Sequence, residues 1–355
     1  MSTELTNTNA AEIGHAMLTA RRNAGSPSMD MVMTFVVVTD EADHYDALKI
    51  ARSVSREHPS RILGVVRRSA RGAANLDAEL RIGEGGSGES VSLRLSGELA
   101  NHAESVVLPL LLPDSPVVIW WPTSAPEDPA ADPLGALAQR RITDTVTNKR
   151  SKTPALLAQC RNYSPGNTDL SWTRLTPWRA LLAAALDQYP ARVCGGRVEA
   201  ERANASADLL VAWLSDRLHV PIERTNTKGP GITAVSLLTG GGEIEIARPD
   251  GRLASFSIPN ASDRPVALKR RDTAELLAEE LRRLDADDIY AATVANVCRL
   301  NPIVVKAKST NGSQAKSSSK RASTSSDGAK KSAAGSRSGQ AKKTAAKATR
   351  RRSSS

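Results

Sequence analysis

Arginine and tryptophan side chains crowd two short stretches of this 355-residue chain, and both side chains are suited to recognition. Both types dominate protein–protein contacts because they combine a large apolar area with directed polar groups. The sequence therefore predicts a partner interface, with no single residue assigned to catalysis. Its candidate residues are Arg140, Arg141, Trp172, Arg174, Trp178 and Arg179.

Two other interpretations of the same cluster stay open. Paired guanidinium groups can clamp the phosphate of a sugar phosphate. The arginines could also form bridges to the neighbouring Asp144 and Asp169, in which case the cluster is an inter-domain seam with a structural role. The sequence alone does not separate these three roles.

Residue types that carry catalysis are present, but they lack the spacing that catalysis needs. The five histidines are scattered, and neither G-x-S-x-G nor H-E-x-x-H occurs. Cys160, Cys194 and Cys298 are far apart, so no zinc-type pair forms. The GEGGSG run at residues 83–88 lacks the spacing of a phosphate-binding loop, and no dinucleotide fingerprint follows Val38 or Val66. We expect no catalytic residue, no cofactor and no metal, and therefore no enzyme.

The formal net charge of +10 is concentrated in one segment. Residues 306–355 hold fourteen Lys/Arg and one acidic residue, so the rest of the chain carries 34 basic and 37 acidic residues. A Ser/Ala/Lys/Arg tail without aromatic residues is typical of disorder, and it could contact nucleic acid without sequence preference. Sparse cysteines, no signal peptide and no long apolar run favour a cytoplasmic protein with no membrane contact.

The first half of the chain has a pattern that predicts a strand, a helix and a second strand. Residues 31–40 and 61–68 are apolar runs, and between them lies a helical pattern that Asp40 could cap. Residues 76–83 and 89–97 alternate apolar and polar positions, which predicts a hairpin or a sheet edge. Val117–Trp121 lies between two prolines and predicts a covered strand, with both tryptophans in the core.

The second half changes its pattern. Thr176 and Pro177 predict a helix start, and Ser206 could cap another helix that ends near Leu218. Short strands separated by turns then predict an antiparallel meander up to residue 270, followed by two helices over 273–284 and 286–297.

These patterns predict an α/β N-terminal domain with a mostly parallel sheet, an α+β domain with an antiparallel meander, and a disordered basic C-terminal tail. The predicted bounds are 1–28 for a flexible N-terminus, 29–166 and 167–300 for the two domains, and 301–355 for the tail. A short helix within 13–21 is compatible with that N-terminus.

Long stretches of the body resemble the glucose-6-phosphate dehydrogenase assembly protein family, OpcA, in its actinobacterial form. The similar stretches run in order from about Met31 to Tyr290, and the basic tail lies outside them. They include TFVVVTD, SREHPSRILGVV, HAESVVLPLLLPDSPVVIWWP, DPLGALAQRRITD, TDLSWTRLTPWRALLAAALDQ, SADLLVAWL, GPGITAVSL and RRDTAELLAEELRRLDADDIY.

The resemblance implies a non-enzymatic partner of glucose-6-phosphate dehydrogenase that supports its active oligomer or acts as its allosteric effector. Such a protein would control NADPH supply through the oxidative pentose phosphate pathway. The alternatives are a sugar-phosphate-sensing module that uses the arginine clusters and a nucleic-acid-associated protein that acts through its tail.

Overall fold

A computed structural model describes residues 2–24, 31–82, 89–148, 152–251 and 253–302, which form two sheets with covering helices. The strands are β1 (Ser2–Leu5), β2 (Met33–Asp40), β3 (Ser60–Arg67), β4 (Asn75–Ile82), β5 (Glu89–Ser96), β6 (Val117–Trp121), β7 (Arg140–Thr143), β8 (Asn167–Asp169), β9 (Val193–Glu201), β10 (Ile222–Thr227), β11 (Ile232–Thr239), β12 (Gly242–Ala247), β13 (Leu253–Ser257) and β14 (Arg264–Ala267). The α-helices are α1 (Ala10–Ala24), α2 (His44–Val54), α3 (Ala103–Val107), α4 (Lys152–Arg161), α5 (Leu170–Thr173), α6 (Thr176–Gln188), α7 (Ala205–Leu218), α8 (Thr273–Leu281) and α9 (Asp288–Leu300). Within those ranges no helix is both long and apolar enough to span a membrane.

The first sheet has eight strands in the order β1-β4-β5-β3-β2-β6-β7-β8. All pairs from β5 to β8 are parallel, whereas β1 with β4 and β4 with β5 are antiparallel. Central β2 is an apolar run with both faces buried, as parallel strands between two helical layers require. The prediction of a mostly parallel first sheet is confirmed.

Neighbouring tryptophans of β6 point to opposite faces of this sheet. The Trp120 ring stacks on Phe35 at 6.3 Å beneath α2 and α8, and Trp121 packs with Ile13 and Met17 of α1. Both side chains are 1% exposed, so the prediction that both are core residues is confirmed. Alternation along a strand produces this division without any special signal.

The second sheet has six strands in the order β10-β9-β11-β12-β13-β14. Its pairs from β9 through β14 are antiparallel, which confirms the predicted meander over β11–β14. One strand departs from that prediction: β10 pairs with β9 in parallel, because α7 carries the chain back across the sheet. Helices α6, α7 and α9 contribute to the core beneath it.

Residues 2–24 form a strand and a helix, so the prediction of a flexible N-terminus over residues 1–28 is wrong for them. Residue 1 and residues 25–28 lie outside the described residues. Strand β1 pairs with the edge strand β4, and α1 buries Ile13 and Met17 to 0% and 2% exposure. Without β1, strand β4 would be a sheet edge with unpaired backbone groups. Pairing with this edge and packing of α1 order residues 2–24.

Three predicted helix starts move by one to three residues. Asp43 takes the N-cap position of α2 in place of Asp40, and Asn204 caps α7 in place of Ser206. Helix α6 begins at Thr176 itself, with Leu175 before it.

The described residues belong to one compact unit, and α8 from the second half packs on the first sheet through Leu276 and Leu277. The division into domains at residues 166 and 167 therefore stays a prediction. The GEGGSG run and the predicted tail from residue 303 lie outside the described residues.

Candidate functional site

The six predicted interface residues do not form an exposed surface. Arg140 and Arg141 are 4% and 8% exposed, and Trp172 and Trp178 are 2% and 3% exposed. Arg174 and Arg179 are partly buried. A partner cannot reach the two tryptophans in this conformation, so this surface prediction is corrected.

Three of these residues, Arg140, Trp172 and Arg174, belong to a layer of paired polar side chains that we call the seam. It joins the two ends of β7 to α5, to α8 and to the start of α9. The seam consists of Arg140, Asp144, Trp172, Arg174, Glu280 and Asp287.

Asp144 and Arg174 form the seam's bidentate ion pair. Both guanidinium Nη atoms of Arg174 donate to the Asp144 carboxylate, at 2.8 and 2.7 Å. Burial raises the pKa of Asp144 above its ordinary value, and the bonds from Arg174 oppose that rise. Arg174 thus stabilises the charged form of Asp144, which burial disfavours.

A second pair, between Arg140 and Glu280, crosses from β7 to α8. Arg140 Nη2 lies 2.6 Å from Glu280 Oε2, and Nη1 donates to the Asp285 carbonyl at 2.9 Å. Nearby, Trp172 Nε1 donates to Asp287 at 2.8 Å. The structural alternative for the cluster, a seam with Arg–Asp bridges, describes these contacts best.

Arg141 lies beside the seam and is bonded mainly to neutral acceptors. Its Nε donates to the Asn167 side chain, and its Nη atoms donate to the carbonyls of Ala138 and Pro165. Burial lowers the pKa of Arg141. This arginine fastens the loop before β7 to the loop before β8.

The loop between β2 and α2 occupies the position where a doubly wound sheet commonly holds a nucleotide phosphate. Here the Asp40 carboxylate accepts hydrogen bonds from the backbone N–H groups of Ala42 and Asp43, at 3.1 and 3.0 Å. The next residue, Glu41, pairs with Arg68 at 2.8 Å, and that bond lowers the pKa of Glu41. Carboxylates at this loop repel a phosphate and take up the N–H groups that would bind it.

An open cavity of about 220 Å³ lies between the seam and the second sheet. Its walls come from α6, the start of α7, the turn before β11, the end of β12 and the segment before α8. Its lining residues include Arg174, Trp178, Glu201, Arg248, Arg270 and Leu276.

Arg248 is the buried cation of this cavity. Its side chain is among the most covered of the arginines, with the residue 5% exposed, and its guanidinium lies 5.1 Å from the Trp178 ring centroid. Nη1 donates to the Leu268 carbonyl at 2.7 Å, whereas Nε has no hydrogen-bond partner. Burial, followed by the repulsion from Arg270, lowers the pKa of Arg248 to about 10.

The other cations at the cavity differ in their pairing. Lys269 bonds Glu275 at 2.9 Å, and Arg271 bonds Glu279. Arg270 is exposed and donates only to the Pro230 carbonyl. Across the described part of the chain, no carboxylate comes within 4 Å of the guanidinium of Arg248 or Arg270.

Sequence reasoning missed Arg248 and Arg270 as site residues. The pattern predicts Lys269 and Arg270 at the end of the last short strand, which gives no sign of a ligand site. Of the six predicted residues, Arg174 and Trp178 line the cavity and the other four do not. Among the described residues, no group of His, Cys, Asp and Glu could hold a metal ion.

Two family models match the chain in succession. Residues 51–161 match the N-terminal domain of the glucose-6-phosphate dehydrogenase subunit, and residues 165–294 match the C-terminal domain of the same subunit. A curated relative, the putative OxPP cycle protein OpcA of Synechocystis sp., is 29% identical over 138 residues. That match spans 37% of this chain and 29% of the relative's length.

Two solved structures show a loose likeness at 10% identity. An oxidoreductase from Sinorhizobium meliloti covers 74% of this chain and 86% of its own, with a TM-score of 0.37. The UDP-N-acetylglucosamine 3-dehydrogenase GnnA from Acidithiobacillus ferrooxidans covers 76% and 97%, with a TM-score of 0.30. Likeness at this level carries no conclusion about fold or function.

Proposed function

The chain belongs to the OpcA family of glucose-6-phosphate dehydrogenase subunits, and from that membership we propose that it is a non-enzymatic assembly factor and allosteric effector of the dehydrogenase. The observation that carries the proposal is the match of both domain models, in order, over residues 51–161 and 165–294. The actinobacterial type stays a prediction.

Effector action needs a difference in affinity between two states of the enzyme. We expect this chain to bind the active oligomer of the dehydrogenase more tightly than the inactive forms. The population then shifts toward the active oligomer by that difference, and NADPH production rises.

The loop between β2 and α2 supports a role without catalysis. Its backbone N–H groups at Ala42 and Asp43 already bind the Asp40 carboxylate. A nicotinamide dinucleotide would have to displace a fixed negative charge to bind there, so this sheet is poorly suited to hydride transfer. We assign the chemistry to the partner enzyme.

The free thiols of all three cysteines fit a reducing compartment, and we propose the cytoplasm as the protein's location.

The test is to purify the dehydrogenase from native lysate through a tag on the full chain, and to assay its activity and oligomeric state with and without the chain. We expect co-purification, a larger oligomer and higher activity. Heat-denatured chain at equal concentration is the control. If intact chain neither binds the dehydrogenase nor changes its activity, the proposal fails, as it does if the purified chain alone reduces NADP.

A further inference from the structure

We propose that the cavity between the seam and the second sheet binds a small sugar phosphate, with Arg248 and Arg270 holding the phosphate group. This proposal is independent of the assembly role, because it concerns a ligand of this chain alone.

The first step is the state of Arg248. A buried guanidinium costs free energy unless it is paired or fully hydrogen-bonded. Arg248 has no carboxylate within 4 Å among the described residues, and its Nε has no acceptor although it is buried. Among the described residues its guanidinium therefore has no anionic partner, and Arg248 lines a cavity that has room for one.

Arg270 provides the second cation at the mouth of the cavity. It is exposed, and its Nη2 bonds the Pro230 carbonyl of the turn before β11. Gly231 allows this approach, because a Cβ atom there would lie 2.8 Å from Arg270 Nη2. The chain thus places a second guanidinium at the same cavity, and its repulsion adds to the burial that lowers the pKa of Arg248.

Two guanidinium groups that line one cavity, without carboxylate partners among the described residues, suit a dianion better than a single carboxylate. A phosphate monoester carries close to two negative charges at neutral pH and presents three acceptor oxygens. Planar guanidinium groups bind such oxygens in pairs.

The remaining walls indicate the kind of ester. Trp178 and Leu276 give an apolar surface, whereas Glu201 and Ser206 give polar groups that can bond hydroxyls. The Ser206 hydroxyl has no partner among the described residues, and the Glu201 carboxylate accepts from Asn204 at 3.2 Å. A volume of about 220 Å³ suits a small metabolite and is too small for a dinucleotide. A phosphorylated sugar has a phosphate for the guanidinium groups, hydroxyls for the polar walls and a size that fits this cavity.

The experiment is titration calorimetry on the full chain with glucose 6-phosphate, inorganic phosphate and glucose. We expect glucose 6-phosphate to bind, inorganic phosphate to bind at least tenfold more weakly, and glucose to give no heat. Equal affinity for both phosphates would overturn the sugar-phosphate assignment, and no heat from glucose 6-phosphate would overturn the site.

Variants locate the binding. Arg270→Gln removes an exposed charge and should weaken glucose 6-phosphate binding about tenfold or more, since a charge-assisted bond is lost. Arg192→Gln makes the same charge change at an exposed position outside the cavity and should leave the affinity unchanged. The basic segment 306–355 is intact in both variants, so binding that survives Arg270→Gln would belong elsewhere and would contradict the proposal.

Arg248→Lys tests the buried member of the pair. It keeps the positive charge but loses the planar guanidinium group. We expect this variant to bind glucose 6-phosphate at least tenfold more weakly than the wild-type chain does. Circular dichroism checks that this variant folds. If it does not fold, the Arg270→Gln and Arg192→Gln comparison decides the proposal.

Discussion

The seam arginines Arg140 and Arg174 and the buried cavity arginine Arg248 have opposite surroundings. Arg140 and Arg174 each face a buried carboxylate at hydrogen-bond distance, Glu280 and Asp144. Arg248 is about as buried as Arg140, and neither Nε atom has a partner among the described residues, yet Arg248 bonds only backbone carbonyls and no carboxylate.

The difference separates charges that hold the fold from charges that are available to a ligand. A paired buried charge becomes costly only when its partner is removed. An unpaired buried charge is costly in the folded chain from the start, and such positions are a common feature of binding sites. The cavity, and not the seam, is therefore the place to look for recognition of small molecules.

The largest expected effect comes from breaking a seam pair. Glu280→Ala leaves the Arg140 guanidinium buried without its carboxylate, and we expect the free energy of unfolding to fall by about 3–5 kcal/mol. Denaturant unfolding followed by circular dichroism measures it. Glu57→Ala is the matched control, because Glu57 is 60% exposed in its pair with Arg282 and should cost less than about 1 kcal/mol. Similar losses of unfolding free energy for both variants would contradict the role of the seam pairs in holding the fold.

A smaller effect is expected when the cavity cation is removed. Arg248→Met loses the bond to the Leu268 carbonyl but also removes a buried charge without a carboxylate partner. These contributions offset each other, so the free energy of unfolding should change by less than about 1 kcal/mol in either direction.

Arg140→Met is the comparison for that variant. It strands the Glu280 carboxylate, and we expect a loss of about 3 kcal/mol or more in the same denaturant experiment. Equal losses for Arg248→Met and Arg140→Met would show that both arginines serve the fold.

The smallest effect concerns the exposed pair of the loop between β2 and α2. The hydrogen bond from Arg68 lowers the pKa of Glu41 below its ordinary value of 4.5, so its contribution to stability is present above pH 4.5 and is lost as the pH falls through the folded-state pKa. Glu41→Gln should therefore destabilise the chain by less than about 1 kcal/mol at pH 7 and by a smaller amount at about pH 3. Urea unfolding of both proteins at the two pH values tests this, and a difference that grows in acid would contradict it.

Sheets and their central strands could be predicted because their signals are local. The apolar run of β2 and the prolines around β6 specify buried strands from a few residues each. Helix α1 includes the short helix that the sequence allows within 13–21. Strand β1 could not be predicted, because it is polar and is a strand only through its pairing with β4. The parallel pairing of β10 likewise depends on where α7 returns the chain.

The sequence left a seam as one of three interpretations of the arginine–tryptophan cluster and could not identify the partners, for a related reason. Arg140 and Glu280 are 140 residues apart in the chain, and Trp172 and Asp287 are 115 residues apart. An arginine–tryptophan cluster looks the same in sequence whether its partner is another protein or a distant part of its own chain. Arg248 and Arg270 are also separated in sequence, so only the fold brings them to one cavity.

Thermal unfolding with and without glucose 6-phosphate tests most directly whether seam charges hold the fold and cavity charges bind the ligand. At a ligand concentration 100-fold above Kd, the wild-type chain should gain about 2.7 kcal/mol, a rise of several degrees in Tm. Without ligand, Glu280→Ala should melt lower than wild type yet show the same rise, whereas Arg248→Met should melt close to wild type and show no rise. An equal rise for wild type and Arg248→Met, or no rise for wild type, would contradict the account.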